Sequence, residues 1–191
     1  MPGLLPLTPS QTVGPFFAIA LPYAGGESPA GPATRGERIR IHGTVRDGNG
    51  APIPDALVEI WQANAAGRYA HPADERDEIP LDPEFIGFGR CPTDAAGEYH
   101  FETIRPGRVP GPGAVSQAPH IVVGVFARGL LKRLATRMYF AGEPANAEDP
   151  ILALVDPARR PTLIARREGD ENSYVFDIVL QGPGETVFFA C

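Results

Sequence analysis

The segment Arg38–Arg46 constrains the fold most, because its apolar and polar residues alternate along nine positions. Alternation with a period of two is typical of a β-strand that buries one face and exposes the other. The segment ends in the sequence Asp-Gly-Asn-Gly at residues 47–50. This is a strong turn signal, since Asp and Asn bond to nearby backbone groups and Gly readily takes a positive φ. A strand followed by a tight turn is therefore predicted.

Similar strand and turn patterns recur along the rest of the chain. Further strands are predicted at residues 56–63, 98–104, 120–127, 130–140 and 173–181. Asn-Ala-Ala-Gly at 64–67 closes the second strand, and Asp-Ala-Ala-Gly at 94–97 opens the third. Residues 149–155 and 157–167 could hold short helices. Because the strands follow one another without a βαβ rhythm, we predict an all-β domain, a β-sandwich with long loops.

The first 35 residues form a distinct segment. They mix Leu, Phe and Tyr with Pro and Gly, a composition too apolar for a disordered tail and too irregular for a helix. We expect residues 1–35 to be an arm that packs against another surface, and residues 36–191 to form the domain. Two long loops, at residues 70–89 and 105–119, are expected to be functional or to lie at an interface.

Composition and charge argue against several classes of function. A chain of 191 residues fits one domain, and its net charge of −6 argues against nucleic acid or an anionic membrane as the main partner. No apolar run approaches the roughly 20 residues that span a bilayer, and the first residues lack a signal-peptide pattern. We therefore expect a cytoplasmic protein. Cys91 and Cys191 are too few for a disulfide framework, although a single bridge stays open.

The candidate ligands and bases are the histidines and tyrosines. His42 and His100 fall on the polar faces of their strands, and His71 lies in a charged loop, so solvated side chains are expected at all three. Three tyrosines keep the apolar period of their strands and are expected to pack in the core or at an interface, namely Tyr99, Tyr139 and Tyr174.

His120 differs from these candidates, because it opens an apolar strand directly after Ala118 and Pro119. Position 122 points to the same face, since alternate residues of a strand share a face. A metal site on this strand would use a second ligand there, and Val122 cannot coordinate an ion. A catalytic triad of Ser116, His120 and a distant Asp also stays open, because triads are defined by geometry.

Several runs of residues resemble the intradiol ring-cleavage dioxygenases. The signature of that family is matched by Ile-His-Gly-Thr-Val at 41–45, Val-Glu-Ile-Trp-Gln-Ala-Asn at 58–64 and Gly-Arg-Tyr at 67–69. The similarity continues through residues 118–120 and 126–129, and it includes both ends of the chain at 8–15 and 184–189. The match at the two ends points to the alpha chain of the family's two-chain members. The resemblance implies their prealbumin-like β-sandwich.

In that family, two tyrosinates and two histidines hold a ferric iron. The resemblance assigns the first tyrosine to Tyr69 and the first histidine to His120. The second tyrosine falls at Val109 and the second histidine at Val122. Two ligands would leave most of the charge of ferric iron uncompensated, so we expect this chain to hold no metal. Tyr69 and His120 are then interpreted as remnants kept for packing and hydrogen bonding.

The resemblance also identifies a changed polar pair. Where the iron-binding chains carry an arginine and a glutamine, this chain has Gln117 and Arg137. We predict that the Arg137 guanidinium fills the space that the iron would take and hydrogen-bonds Tyr69.

The resemblance implies a hetero-oligomer in which a partner, the beta chain, bears the ferric iron. In the family's two-chain enzymes the N-terminal arm of the alpha chain lines the partner's cavity. The matching positions here are Thr12, Gly14, Pro15 and Phe16, of which Phe16 departs from the usual tyrosine. The implied reaction is the cleavage of the aromatic substrate protocatechuate by dioxygen.

Two alternatives stay open. The chain could be an iron enzyme in its own right, with Tyr99 or His71 completing a site around Tyr69 and His120. It could also be a binding or structural β-sandwich without any enzymatic role, because a fold does not fix a function.

Overall fold

The computed structural model describes residues 12, 14, 17–169 and 172–190, and β-strands dominate this part of the chain. The strands are β1 (Arg38–Arg46), β2 (Leu57–Trp61), β3 (Phe88–Pro92), β4 (Glu98–Ile104), β5 (Val109–Pro110), β6 (Ser116–Gln117), β7 (His120–Phe126), β8 (Leu134–Phe140), β9 (Ile164–Glu168), β10 (Ser173–Val175) and β11 (Ile178–Val179). The helical elements of the described residues are α1 (Phe17–Ala20) and 3-10 turns at Pro112–Ala114, Pro144–Glu148, Leu152–Leu154 and Arg160–Leu163. Within the same residues no helix is long and apolar enough to cross a bilayer.

Nine of the described strands form one continuous sheet. Its order is β11, β1, β10, β9, β8, β7, β2, β3, and β4 also pairs with β1. Strand β9 joins the two halves, because Ile164 and Ala165 pair with β8 while its last three residues pair with β10. Strands β5 and β6 form a separate hairpin. The prediction of a fold built from β-strands is confirmed.

The core draws on both halves of the sheet. The half around β1 contributes Ile41 and Phe101, and the half around β7 contributes Ile60 and Val123. Each of these four side chains is at most 2% exposed. Every second residue of β1 is buried, which confirms the strand predicted from its alternation. The predicted packing of three tyrosines is also confirmed, since each is at most 3% exposed, namely Tyr99, Tyr139 and Tyr174.

The three predicted turns share one hydrogen-bond pattern. Asp47, Asn64 and Asp94 each accept two backbone N–H groups on a single side-chain oxygen, from the residues two and four positions further along. The fourth residue of each turn is a glycine with φ between 73° and 84°. These bonds replace ladder pairing at the strand ends, so the turns confirm the prediction made from their sequences.

The later part of the N-terminal segment bridges the edge strands β3 and β4. The Gly26 carbonyl oxygen accepts from the Arg90 backbone N–H at 2.7 Å, and the Glu27 carbonyl oxygen accepts from the Glu102 backbone N–H at 2.9 Å. The Arg90 side chain also donates to the Leu21 carbonyl oxygen at 2.8 Å. Covered strand edges cannot pair with other chains. This part of residues 1–35 thus packs on its own sheet, and packing of the arm on a partner stays a prediction.

Several boundaries differ from the predictions. The loop predicted at 70–89 ends in β3, the strand predicted at 173–181 is divided into β10 and β11, and the first 35 residues contain α1. Of the helix predicted at 157–167, only Arg160–Leu163 forms a 3-10 turn, and the strand β9 begins at Ile164. Its sequence Ile-Ala-Arg-Arg-Glu does not alternate, so backbone pairing with β8 and β10 determines its conformation. Cys91 is buried and free, and Cys191 lies outside the described residues.

Gly43 allows a test of the close approach between β1 and the connection from β10 to β11. A Cβ atom at position 43 would lie 2.0 Å from the Phe176 carbonyl oxygen. We expect Gly43→Ala to lower the free energy of unfolding by about 3 kcal/mol, because overpacking against backbone forces the strands apart. Urea denaturation measures this loss.

Gly129→Ala is the matched control. Position 129 has open space around it and differs from an ordinary residue only in its φ of 89°. A left-handed conformation costs a residue with a Cβ about 1 kcal/mol. Equal losses in the two variants would contradict the close approach at Gly43.

Candidate functional site

Tyr69 lies in the loop after β2 and faces a cavity. Its ring stacks on that of Trp61, with ring centres 5.7 Å apart. The Tyr69 backbone N–H donates to Asp74 Oδ2 at 2.9 Å, which fixes the start of the loop. The cavity has a volume of about 770 Å³, and we call it the Tyr69 cavity. Its lining includes Trp61, Tyr69, His71, Val109 and Gln117.

The Tyr69 side chain is a neutral phenol. Burial raises the pKa of Tyr69, the positive charge of Arg137 lowers it, and Asp74 raises it again, with a net rise above the ordinary value. Asp74 stays ionised because its hydrogen bonds from Arg76 hold the pKa of that carboxyl at about 2. A ferric ion is held by tyrosinate and would lower the pKa of a tyrosine ligand by its own charge, so the raised pKa of Tyr69 describes the chain without a metal.

His120 is buried at the first position of β7. Its Nδ1 donates to the Ala118 carbonyl oxygen at 2.8 Å, so Nε2 is left as the acceptor nitrogen. Burial lowers the pKa of His120 to about 4, and the positive charge of Arg137 acts in the same direction. The imidazole packs beside Tyr139 with 5.8 Å between ring centres. It is therefore neutral at pH 7.

Val109 and Val122 place apolar side chains at the two other positions of the implied ligand set. Val109 is buried in β5 and lines the Tyr69 cavity. Val122 is half-buried in β7. The residues present do not fit a ferric ion, because Tyr69 and His120 are the two donors left of the implied set and only the tyrosine can supply a negative charge. Across the described residues, no group of three or more His, Cys, Asp or Glu side chains could hold a metal ion.

Arg137 is oriented by Gln117. Its Nη1 donates to Gln117 Oε1 at 2.5 Å, and Gln117 Nε2 donates to the Pro110 carbonyl oxygen at 2.6 Å. The predicted hydrogen bond from Arg137 to Tyr69 is not found among the described residues. The charge of Arg137 nevertheless acts on Tyr69, since it opposes the rise in the pKa of that phenol.

Asp149 is a positioning residue that the sequence reasoning missed. Its carboxylate is fully buried and accepts from the Ala118 backbone N–H at 2.7 Å and from the Tyr139 hydroxyl at 3.1 Å. It also accepts from the Ile151 and Leu152 backbone N–H groups at 2.9 and 2.7 Å. These bonds fix the residues that precede and face His120. The signal available in the sequence was an Asp at the start of the helix predicted at 149–155, where a capping role is favoured.

The structure describes two of the four arm residues. Thr12 and Gly14 are exposed, and Pro15 and Phe16 lie outside the described residues. Their predicted contribution to a partner's cavity stays a prediction.

The residues named in the alternatives are also placed by the structure. His71 is exposed, as predicted, and lies edge-on to Trp61 in the Tyr69 cavity, with 6.3 Å between ring centres. Tyr99 is bound within the core, where its hydroxyl donates to the Phe176 carbonyl oxygen at 2.6 Å. No hydrogen bond joins Ser116 to His120 within the described part of the chain. On the outer face of β1, His42 is half-buried and lies 2.9 Å from a carboxylate oxygen of Glu168, instead of the solvated side chain predicted there. His100 is exposed, as predicted.

Comparison with known proteins identifies the family. A family model described as dioxygenase matches residues 27–182. The chain is 44% identical to the protocatechuate 3,4-dioxygenase alpha chain of Pseudomonas putida, over 97% of both chains. The chain belongs to the intradiol dioxygenase family.

Other members of the intradiol dioxygenase family match as well. The protocatechuate 3,4-dioxygenase beta chain of Burkholderia cepacia is 48% identical, over 79% of this chain and 67% of that one. Among solved structures, the dioxygenase domain of a carbohydrate-binding fusion protein from Streptomyces sp. SirexAA-E is 30% identical with a TM-score of 0.61. That match covers 82% of this chain and 87% of the other. The family assigned from the sequence is confirmed.

Asp149→Asn tests the positioning of β7. The amide keeps the shape of the carboxylate but turns an NH₂ group toward backbone N–H donors. We expect the free energy of unfolding to fall by about 2 kcal/mol, because hydrogen bonds to a charged acceptor contribute about 1.5–3 kcal/mol. The control, Asp156→Asn, changes an exposed carboxylate that accepts from the Ala158 backbone N–H, and a change below about 0.5 kcal/mol is expected. If urea denaturation shows similar losses in the free energy of unfolding for both variants, the role of Asp149 is refuted.

His120 makes stability depend on pH. Its folded pKa of about 4 lies below the ordinary 6.5, so the unfolded chain takes up a proton that the folded chain excludes. The stabilisation is therefore complete above pH 6.5 and is lost as the pH falls toward 4. At about 1.4 kcal/mol per pKa unit, this loss amounts to about 3 kcal/mol.

The measurement is urea denaturation at pH 7 and pH 4. We expect His120→Asn to lose about 3 kcal/mol less stability between these pH values than the natural chain does. His100→Asn, which changes an exposed histidine of β4, should behave like the natural chain. An unaltered pH dependence in His120→Asn would show that this residue does not cause it.

Proposed function

We propose that this chain is the non-catalytic alpha subunit of a protocatechuate 3,4-dioxygenase. The observation that carries the proposal is the 44% identity to an alpha chain over 97% of both chains. The reaction of the assembled enzyme inserts both atoms of dioxygen between the two hydroxylated carbons of protocatechuate, which gives 3-carboxy-cis,cis-muconate. This is a step of aromatic degradation in the β-ketoadipate pathway.

The ferric iron would belong to the partner, the beta chain. That partner is expected to resemble this chain, since the Burkholderia cepacia beta chain is 48% identical over the shared region. In this chain Val109 and Val122 stand at two of the implied ligand positions, so Tyr69 and His120 are the two donors left of that set. These residues support a division of roles within a higher-order hetero-oligomer. The beta chain would carry out catalysis, and this chain would have a supporting role.

The supporting role falls to the N-terminal arm. We propose that Thr12, Gly14, Pro15 and Phe16 line the partner's substrate cavity. Gly14 has open space where a side chain would lie, so backbone could approach an aromatic ring closely there. Pro15 would stiffen the segment, and Phe16 would supply apolar area without a hydroxyl. Residues 36–191 would then form the domain that presents the arm.

Two finer expectations belong to the same proposal. The first is that the sheet is a prealbumin-like sandwich, which is supported by a core cluster drawn from both of its halves. The second is a cytoplasmic location, which is supported by the metabolic role proposed for the assembled enzyme.

The alternative of an independent iron enzyme has one observation in its favour. His71 lines the same cavity as Tyr69, so a third nitrogen or oxygen donor is close to that phenol. This alternative requires His71, which is exposed, to act together with the buried His120.

Expression of the chain alone and together with its beta chain tests the proposal. We expect ring cleavage of protocatechuate and bound iron only when both chains are present. His71→Ala should leave the activity of the complex unchanged within about twofold, because the proposed chemistry takes place in the partner. Stoichiometric iron with a tyrosinate colour in the chain alone, abolished by His71→Ala, would establish the alternative and overturn the proposal.

A further inference from the structure

Arg137 is a half-buried cation without a carboxylate partner in the described part of the chain. Ten ion pairs join described residues, and Arg137 takes part in none of them. Its Nη1 donates to the neutral amide of Gln117. The Tyr139 hydroxyl is a second hydrogen-bonding neighbour of Arg137. A guanidinium has five N–H donors, so these two contacts leave donors for another acceptor.

The strand register places Arg137 in a row across the outer face of the sheet. Trp61 of β2 is directly opposite Val122 of β7, and Val122 is directly opposite Arg137 of β8. Residues that face each other on neighbouring strands project from the same face. All three are half-buried, whereas their neighbours Ile60, Val123 and Met138 fill the core. The row therefore offers an aromatic ring, an apolar spacer and a cation in sequence.

A second cavity opens beside this row. It has a volume of about 570 Å³, and we call it the Arg137 cavity. Its apolar lining includes Val122, Leu154, Val187 and Phe189. The Arg137 Cζ atom lies 6.0 Å from the centre of the Phe189 ring. A positive group at the wall of an otherwise apolar space favours a ligand with one negative end and an apolar body.

The other charged groups near the cavity limit the net charge that a bound ligand can carry. Arg159 lies 3.4 Å from Glu185, which offsets its charge. Both Asp149 oxygens already accept hydrogen bonds from within the fold. Asp156 is exposed at the lining and carries a negative charge of its own. A second negative charge on the ligand would be repelled by Asp156, so a monoanion fits better than a dianion.

We propose that the Arg137 cavity binds a small aromatic monocarboxylate. The carboxylate accepts N–H bonds that Gln117 does not use, and the ring packs between Val122 and Phe189. Neither iron nor a partner chain is needed for this binding. The proposal therefore goes beyond the function proposed above, and either of the two can fail without the other.

Titration of the purified full chain with benzoate tests the proposal, with benzamide as the uncharged analogue of the same shape. We expect calorimetry to show one benzoate per chain and at least tenfold weaker binding of benzamide. Equal binding of benzoate and benzamide would overturn the proposal.

Two substitutions change the charge that the ligand meets. Arg137→Gln removes the cation, and Gln117→Glu supplies a competing carboxylate while the arginine stays in place. Each should weaken benzoate binding at least tenfold, and the second variant keeps the test valid if the first does not fold. Arg166→Gln is the matched control, because Arg166 is exposed on β9 and lies 3.4 Å from Asp177. Unchanged binding in Gln117→Glu, or an equal loss in Arg166→Gln, would refute the assignment.

Discussion

The register of β7 between β2 and β8 is the constraint on which the candidate site depends. It sets His120 opposite Tyr139, and it sets Val122 between Trp61 and Arg137. A shift by one residue would turn every side chain of β7 to the other face, which would bury Val122 and expose the core residues beside it. The buried Asp149 supports this register from the start of the strand, because it accepts the Ala118 backbone N–H and the Tyr139 hydroxyl.

Charge explains why this arrangement is unsuited to a metal ion. Burial lowers the pKa of His120 and raises the pKa of Tyr69, and the fixed positive charge of Arg137 lowers both. A bound cation would have to overcome that positive charge and deprotonate the phenol, with valines at two of the implied ligand positions. The same positive charge makes the neighbouring apolar cavity suitable for an anion.

The sequence predicted the parts of the fold that depend on local chemistry. The alternation in β1 and the turns that begin at Asp47, Asn64 and Asp94 are found as predicted, because each is determined by side chains within a few residues. Strand β9 could not be predicted, since its conformation depends on pairing with two distant strands.

The same distinction applies to the candidate site. Tyr69 and His120 were identified from the resemblance and their positions, whereas the Gln117 partner of Arg137 depends on a contact between β6 and β8. Asp149 was missed because its four hydrogen bonds reach two other segments as well as its own turn.

The division of labour between two similar chains can be tested most directly by locating the iron. Crystals of the assembled two-chain enzyme, measured on both sides of the iron absorption edge, would give an anomalous difference map in which only iron changes. We expect one peak per pair of chains, within the beta chain, and no peak between Tyr69 and His120 of this chain. A peak beside Tyr69 and His120 at comparable height would contradict the interpretation of this site as silent.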